Sequence, residues 1–98
     1  GDQRTELPSV ISLQTPYPNP FNAQTNISYS IPFAMDIEIG VFDIQGKKIK
    51  VLERALKSIG HHKVTWNSDG IISGTYFIKI QDEGGWMKSQ ETKVILVK

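Results

Sequence analysis

The stretch "DIEIGVFDIQGKKIK" (residues 36–50) decides the fold, because it joins two alternating apolar segments by a very short loop. In "DIEIGVF" (36–42) every second residue is apolar, as in a β-strand with one face in a core. The loop "DIQGKK" (43–48) carries Gly46 where a tight hairpin needs a positive φ. Since a loop this short should not change sheets, we expect the strands on either side of it to be hydrogen-bonded neighbours.

The same pattern of short alternating segments runs through the rest of the chain. We predict strands at "VISLQ" (10–14), "TNISYSI" (25–31), "DIEIGVF" (36–42), "KKIKVLERA" (47–55), "HHKVTWN" (61–67), "TYFIKIQ" (75–81) and "WMKSQETKVILVK" (86–98). Ile49 and Val51 are the predicted inward pair of the fourth strand, and Trp66 of the fifth is predicted to lie in the core. We interpret the second half of "VLERALKSIG" (51–60) as a loop that crosses between sheets.

Seven short strands separated by Gly, Pro and Asn or Asp turns are typical of an antiparallel β-sandwich of the immunoglobulin/fibronectin type. With strands three and four paired, and "PFAMD" (32–36) long enough to cross between sheets, the predicted orders are 1-2-5 and 4-3-6-7. Tyr76 follows Ser73 and Gly74 at the start of strand six. This is the place of a tyrosine corner, whose hydroxyl bonds the backbone of the preceding connection.

The segment "PYPNPFN" (16–22) is stiffened by three prolines at alternate positions. Each proline fixes its own φ and pushes the residue before it into extended space, so the segment is neither helix nor central strand. We predict a rigid bend between the first two strands, formed by Tyr17, Pro18, Asn19, Pro20 and Phe21. Phe21 is expected to plug one end of the core. For Tyr17, a core position and an exposed contact with a partner are both open.

Length and composition fit a single domain. The chain has 98 residues, 39% of them hydrophobic, and a net charge of +1 without long runs of either sign, so nucleic acid and anionic membranes are not expected partners. No apolar stretch is long enough to span a bilayer, and the first ten residues do not resemble a signal peptide. We expect a piece of a larger protein, with residues 1–9 as a linker and residues 10–98 as the folded domain.

No arrangement of residues in the sequence indicates catalysis or a bound metal. His61 and His62 are adjacent on a predicted strand, so they point to opposite faces and cannot share a metal ion, and His62 is expected to be partly buried. "NSDG" (67–70) has one carboxylate and is interpreted as a turn rather than a calcium site. We expect no catalytic residue, no metal and no cofactor, and the domain should not be an enzyme.

Several blocks along the chain resemble a known family. "SLQTPYPNPFNAQTNISYSIP", "VFDIQGKKI", "GHHKVTWN" and "SGTYFIKI", followed by the closing "TKVILVK", look like the C-terminal sorting domain of proteins exported by the type IX (Por) secretion system. The resemblance covers roughly residues 11–98, and "YPNPFN" followed by "ISY" and "IP" is its most specific part. The same blocks are similar to the immunoglobulin-like domain of the flagellar hook-capping protein.

The resemblance implies a non-catalytic function. Such domains form the C-terminal part of larger passenger proteins and are recognised in the periplasm of Gram-negative bacteria by the outer-membrane translocon and its shuttle. A sortase commonly removes them, which leaves the passenger at the cell surface or secreted. A rigid bend at residues 16–22 suits such a role, because a pre-ordered segment loses less conformational entropy on binding.

Two groups of residues are candidates for contact with a partner. Phe42 and Phe77 are predicted to be outward neighbours on one sheet and to form an apolar patch. The final "VILVK" places Val94 and Leu96 on one face and Ile95 and Val97 on the other, with Lys98 at the end. One pair should fill the core, and the other should lie outside beside an unpaired strand edge that could accept a partner's strand. Loops covering the second face remain the alternative.

A carbohydrate-binding or structural module appended to a glycan-degrading enzyme is the competing hypothesis. Sandwich domains of this kind bind sugars through exposed aromatic side chains, and Trp86, Phe42 and Phe77 are the candidates here. Flat sugar platforms favour Trp and Tyr over Phe and need surrounding polar groups. We therefore favour a protein partner for the Phe42 and Phe77 patch.

Overall fold

The structure, a computed structural model, describes residues 10–98, so the proposed linker at residues 1–9 lies outside the described residues. Within residues 10–98 the chain forms two antiparallel sheets and no helix. The strands are β1 (Ser12–Leu13), β2 (Gln24–Ile31), β3 (Met35–Phe42), β4 (Lys48–Lys57), β5 (Gly60–Asn67), β6 (Gly74–Asp82) and β7 (Gln90–Leu96). The sheet orders are β1-β2-β5 and β4-β3-β6-β7, which confirms the predicted β-sandwich and its topology.

The inward residues of both sheets meet in one core. Its fully buried members include Ile27, Ile37, Ile39, Val41, Trp66, Ile78, Ile80 and Val94. The ring centroid of Trp66 lies 5.1 Å from that of Phe21 and 5.5 Å from that of Tyr76. The Tyr76 hydroxyl donates to the carbonyl of Ile72 at 2.6 Å, which confirms the tyrosine corner. Phe21 is buried, which confirms its position as a plug, whereas the Tyr17 side chain is exposed.

The hairpin between β3 and β4 has the tight turn that the sequence predicts. Gly46 has a φ of +85°, and its amide donates to the carbonyl of Asp43 at 3.0 Å. The Asp43 carboxylate accepts from the amides of Gln45 and Lys47 at 2.9 Å each. The turn therefore keeps β3 and β4 as neighbours in one sheet.

The predicted inward pair of β4 is wrong at one of its two residues. The pairing of β3 with β4 shifts register at two places, next to Ile49 and next to Leu52. These two residues pack against the core, whereas Val51 is 41% exposed. A bulge adds a residue without a partner and so reverses the alternation on either side of it, which is why strict alternation misplaced Val51.

The loop predicted in the second half of 51–60 is also too long. β4 continues to Lys57, with Leu56 opposite Asp36, because the ladder that starts at the tight hairpin runs along the whole of β3. The crossing itself takes only Ser58 and Ile59, and Gly60 begins β5 with a φ of +117°. A two-residue connection can change sheets here because β4 and β5 are edge strands of different sheets. Loop length alone therefore does not keep two strands in one sheet.

The first and last strands are shorter than predicted. β1 pairs with β2 only at Ser12 and Leu13, although the amide of Gln14 still donates to Ser28 at 3.0 Å. β7 starts at Gln90 rather than at residue 86. The Asp82 carboxylate accepts from the amides of Trp86 and Met87 at 3.0 Å each, and this holds the residues before β7 in a loop.

The strand directions place the connections at two opposite ends of the sandwich. We call the C-terminal end the one that carries segment 16–23, the hairpin 43–47, the loop 68–73 and residues 97–98. The N-terminal end carries the connections 32–34, 58–59 and 83–89. The bend rich in proline, the patch of Phe42 and Phe77 and the last residues of the chain therefore share one end.

Replacing Trp66 with alanine tests the aromatic core. We expect Trp66→Ala to lower the free energy of unfolding by about 3 to 5 kcal/mol, because it removes a fully buried indole between two other rings. Tyr76→Phe should cost only about 0.5 to 1.5 kcal/mol, since it removes one hydrogen bond and keeps the ring. Denaturant unfolding of both variants checks this order, and equal stability of wild type and Trp66→Ala would show that the description of the core is wrong.

Candidate functional site

The bend at residues 16–22 lies along the outer edge of β7. The side-chain oxygen of Asn19 accepts from the amide of Ile95 at 2.9 Å, and its side-chain nitrogen donates to the carbonyl of Lys93 at 3.3 Å. The amide of Phe21 donates to the carbonyl of Ile95 at 3.0 Å, and the amide of Val97 donates to the carbonyl of Phe21 at 2.8 Å. The edge expected to be unpaired beside Ile95 and Val97 is therefore occupied by the chain itself, and that expectation is wrong.

The end of the chain is held by the loop between β5 and β6. The amide of Lys98 donates to the Ser73 hydroxyl at 2.9 Å, and the Lys98 ammonium donates to the carbonyl of Ser68 at 2.7 Å. Ser68 is itself buried, and its hydroxyl donates to the carbonyl of Ala23 at 3.0 Å. Lys98 is therefore fixed to the loop 68–73, and that loop is fixed to the chain just before β2.

The two faces of the last strand have different environments. Val94 and Leu96 are buried in the core, whereas Ile95 is half-buried on the outside and Val97 is 53% exposed. Val97 also lines a surface cleft with Pro18 and Pro20. The outward pair is therefore Ile95 and Val97.

Phe42 and Phe77 lie directly opposite each other on β3 and β6, as the sequence predicts. Both side chains are half-buried on the outer face of the four-stranded sheet. The Phe42 ring packs over Gly40, where a Cβ would come within 3.1 Å of it. The ammonium groups of Lys48 and Lys79 each lie 5.8 Å from the centre of the Phe42 ring. Phe42 is thus a half-buried aromatic side chain flanked by two lysine ammonium groups.

A surface cleft of about 270 Å³ continues this patch toward the hairpin, lined by Phe42, Phe77, Ile44, Lys79 and Glu91 among others. Ile44 at the hairpin tip is 74% exposed, and Ile72 in the loop 68–73 is 78% exposed. Ile44 and Ile72 line a second, smaller cleft together. These two isoleucines were not predicted as contact residues, although an isoleucine in a polar turn is a signal that could have indicated them.

Beside the aromatic pair, Glu38 is a buried carboxylate on the same outer face. Lys48 donates to one of its oxygens, and the guanidinium of Arg54 donates to the other at 2.5 Å and 3.1 Å. The hydrogen bond from Lys48, followed by that from Arg54, lowers the pKa of the Glu38 carboxyl below its usual range. Glu38 therefore stays ionised and holds the two cations over β3.

The three aromatic residues proposed as a sugar platform are not brought together. Trp86 is 86% exposed in the loop 83–89, at the N-terminal end of the sandwich. Phe42 and Phe77 lie on the outer face toward the opposite end. The two phenylalanines alone lack the flat Trp or Tyr surface that stacking against a sugar ring favours.

The histidines occupy the positions that the strand alternation predicts. His61 is exposed, whereas His62 is half-buried, stacks on Tyr29 at 5.4 Å and bonds the carbonyl of Ser58 at 2.7 Å. The Tyr29 hydroxyl donates to the Glu53 carboxylate at 3.1 Å; burial, and then the charge of Glu53, raise the pKa of Tyr29. The side chains of His62 and Tyr29 therefore each have a hydrogen-bond partner at the side of the core.

Residues 67–70 form the predicted turn, with the amide of Asp69 donating to the side-chain oxygen of Asn67 at 2.9 Å. Gly70 has a φ of +79°, as a turn of this kind favours. Across residues 10–98, no cluster of three or more His, Cys, Asp or Glu side chains could hold a metal ion.

Replacing Glu38 with glutamine tests the buried ion pair. Since the pKa of Glu38 is lowered in the folded protein, its stabilising effect is present above the unfolded pKa near 4.5 and is lost as the pH falls below it. We expect Glu38→Gln to lower the free energy of unfolding at pH 7, because it removes the negative charge that pairs with Lys48 and Arg54. The loss should be only about 1 to 2 kcal/mol, since both cationic side chains are partly exposed to solvent. The difference from wild type should narrow on acidification. A constant difference between pH 7 and pH 3 in denaturant unfolding would contradict this.

Comparison with known proteins gives one result that agrees with the geometry. Residues 15–98 match the model of the family described as the secretion system C-terminal sorting domain. The search of curated proteins found no match. Residues 10–98, those that the structure describes, form no helix that could span a bilayer. Because the family model matches nearly the whole chain, from the bend at residues 16–22 to the final lysine, the chain belongs to the type IX secretion C-terminal sorting domains.

Proposed function

We propose that this domain directs a passenger protein, to which it is joined, through the type IX translocon to the cell surface or the medium. In this proposal the translocon and its shuttle recognise the domain in the periplasm of a Gram-negative bacterium, and a sortase then removes it. The observation that carries the proposal is the family match over residues 15–98, which gives the domain a sorting role. The domain acts by being recognised, and its residues perform no catalytic step.

The C-terminal end supplies the surface that suits such recognition. It combines the outward pair Ile95 and Val97 with the half-buried Phe42 and Phe77, and Ile44 and Ile72 extend the same end as exposed apolar tips. Lys48 and Lys79 flank the aromatic pair. Apolar anchors with a polar and charged rim are typical of protein–protein contacts, and on this basis we assign partner binding to this end.

A reporter experiment tests the proposal directly. Residues 1–98 are fused to the C-terminus of a fluorescent protein that carries an export signal, and the fusion is expressed in bacteria with and without a type IX translocon. We expect fluorescence at the surface or in the medium only when both the domain and the translocon are present. Equal delivery without the translocon would refute the proposal. Retardation of the domain in gels that contain soluble polysaccharide would instead favour the sugar-binding hypothesis.

Substitution of the outward pair tests where the recognition surface lies. We expect the double variant Ile95→Thr and Val97→Lys to melt within a few degrees of wild type, because neither side chain is in the core, and to lose most of the delivery. The matched control is Leu56→Thr with Ile59→Lys, which changes two apolar residues that are 69% and 66% exposed near the N-terminal end. This control should be delivered normally.

Two results would contradict the placement. A large fall in melting temperature for the Ile95 and Val97 variant would mean that both faces of the last strand are part of the core. Equal loss of delivery in the control variant would mean that the effect is general rather than local. In the first case the aromatic pair Phe42 and Phe77 would be the next surface to test.

A further inference from the structure

We infer that Asn19 is a positioning residue that holds the last strand in the form that the export machinery reads. The inference rests on the proposed function, and it concerns how the signal is presented rather than which residues make contact. It starts from the two hydrogen bonds of the Asn19 side chain, at 2.9 Å to the amide of Ile95 and at 3.3 Å to the carbonyl of Lys93. One amide side chain thus bonds two backbone groups of β7, 74 and 76 residues away in sequence.

Phe21 continues the same contact toward the end of the chain. Its amide and carbonyl bond the carbonyl of Ile95 and the amide of Val97, which makes a short parallel bridge to β7. Together, Asn19 and Phe21 occupy four successive backbone groups along one edge, from the carbonyl of Lys93 to the amide of Val97. A partner strand could add to this part of the edge only if the segment 19–21 first moved away.

The segment that carries Asn19 is itself anchored to the other sheet. The Thr25 hydroxyl, fully buried, donates to the carbonyl of Pro18 at 2.7 Å. The backbones of Tyr17 and Asn26 exchange two hydrogen bonds, at 2.9 Å and 3.0 Å. The ring of Phe21 packs against Trp66 in the core. Asn19 therefore reaches β7 from a rigid support that begins on β2.

This arrangement sets how the outward side chains are presented. The amide and the carbonyl of Ile95 are both bonded by the segment 19–21, so the direction of the Ile95 side chain is fixed relative to the body of the domain. A partner that contacts Ile95 and Val97 then binds a strand that is already ordered, so binding loses no conformational entropy in ordering that strand. The structure thus favours recognition of the side chains on a closed strand over addition of a partner strand at this edge.

Two variants of Asn19 test whether its hydrogen bonds to β7 are needed for delivery. Asn19→Ala removes both hydrogen bonds, whereas Asn19→Asp keeps an oxygen that can accept from the Ile95 amide. We expect amide hydrogen exchange at Ile95, measured by NMR on the 98-residue chain, to be at least about tenfold faster in Asn19→Ala. In Asn19→Asp it should remain within about threefold of wild type. Surface delivery of the reporter fusion should fall severalfold in Asn19→Ala and be restored in Asn19→Asp.

Tyr29→Phe is the control for a merely structural effect. It removes one hydrogen bond, from the hydroxyl to the Glu53 carboxylate, outside the proposed recognition surface, and it leaves β7 bonded to the segment 19–21. We expect it to lower the melting temperature by an amount similar to Asn19→Ala while Ile95 exchange and delivery stay at the wild-type level. Equal loss of delivery in the two variants would reduce Asn19 to a general stabilising residue and overturn the inference.

The remaining outcomes also decide the matter. Unchanged exchange at Ile95 in Asn19→Ala would show that the side chain does not hold the strand, and faster exchange with full delivery would show that the export machinery does not need it held. Either result overturns the inference and leaves the proposed function intact. Failure of the wild-type fusion to be delivered overturns the proposed function as well, so the two failures are distinguishable.

Discussion

The contact between the segment 19–21 and β7 closes the sandwich at its C-terminal end. β7 is an edge strand of its sheet, and an edge strand leaves a row of backbone N–H and C=O groups unpaired unless another segment covers them. The segment 19–21 covers this edge, and it belongs to the connection that leads into β2 in the opposite sheet. Its backbone satisfies the edge, while the Phe21 ring enters the core beside Trp66. One short segment therefore joins the two sheets, fills the end of the core and protects the last strand.

Much of this fold could be predicted from the sequence because its strands alternate with a period of two. The pairing of β3 with β4 was predicted from the tight hairpin around Gly46, although loop length alone does not decide it, and the core positions of Trp66 and Tyr76 were predicted from their place on the strands. The bulges of β4 could not be predicted, because a bulge is a property of two paired strands and a single strand carries no sign of it. Val51 was misplaced for this reason.

Part of the candidate site could also be predicted from the alternation of the strands. Phe42 and Phe77 were expected to be neighbours because sheet order and alternation together bring them opposite each other. The contacts of Asn19 and Glu38 were missed, since each depends on a polar side chain that meets groups distant in sequence. Asn19 shows this most clearly, because its partners lie on a strand 74 and 76 residues away. The sequence indicates that residues 16–22 are rigid, but only the fold shows what they hold.

The proposed recognition surface exposes apolar side chains, and such exposure can promote association between copies of a domain. Exposed apolar patches and open strand edges are the two features that most often cause association, and they are most harmful in combination. At the C-terminal end of this sandwich the apolar side chains are present, with Ile44, Ile72 and Val97 all more than half exposed. The edge beside Val97, however, is occupied by Asn19 and Phe21. Lys98 is also fixed, through Ser68 and Ser73. The proposed recognition surface thus offers side chains while the backbone beside it is closed, which favours a partner shaped to fit the side chains over indiscriminate strand pairing.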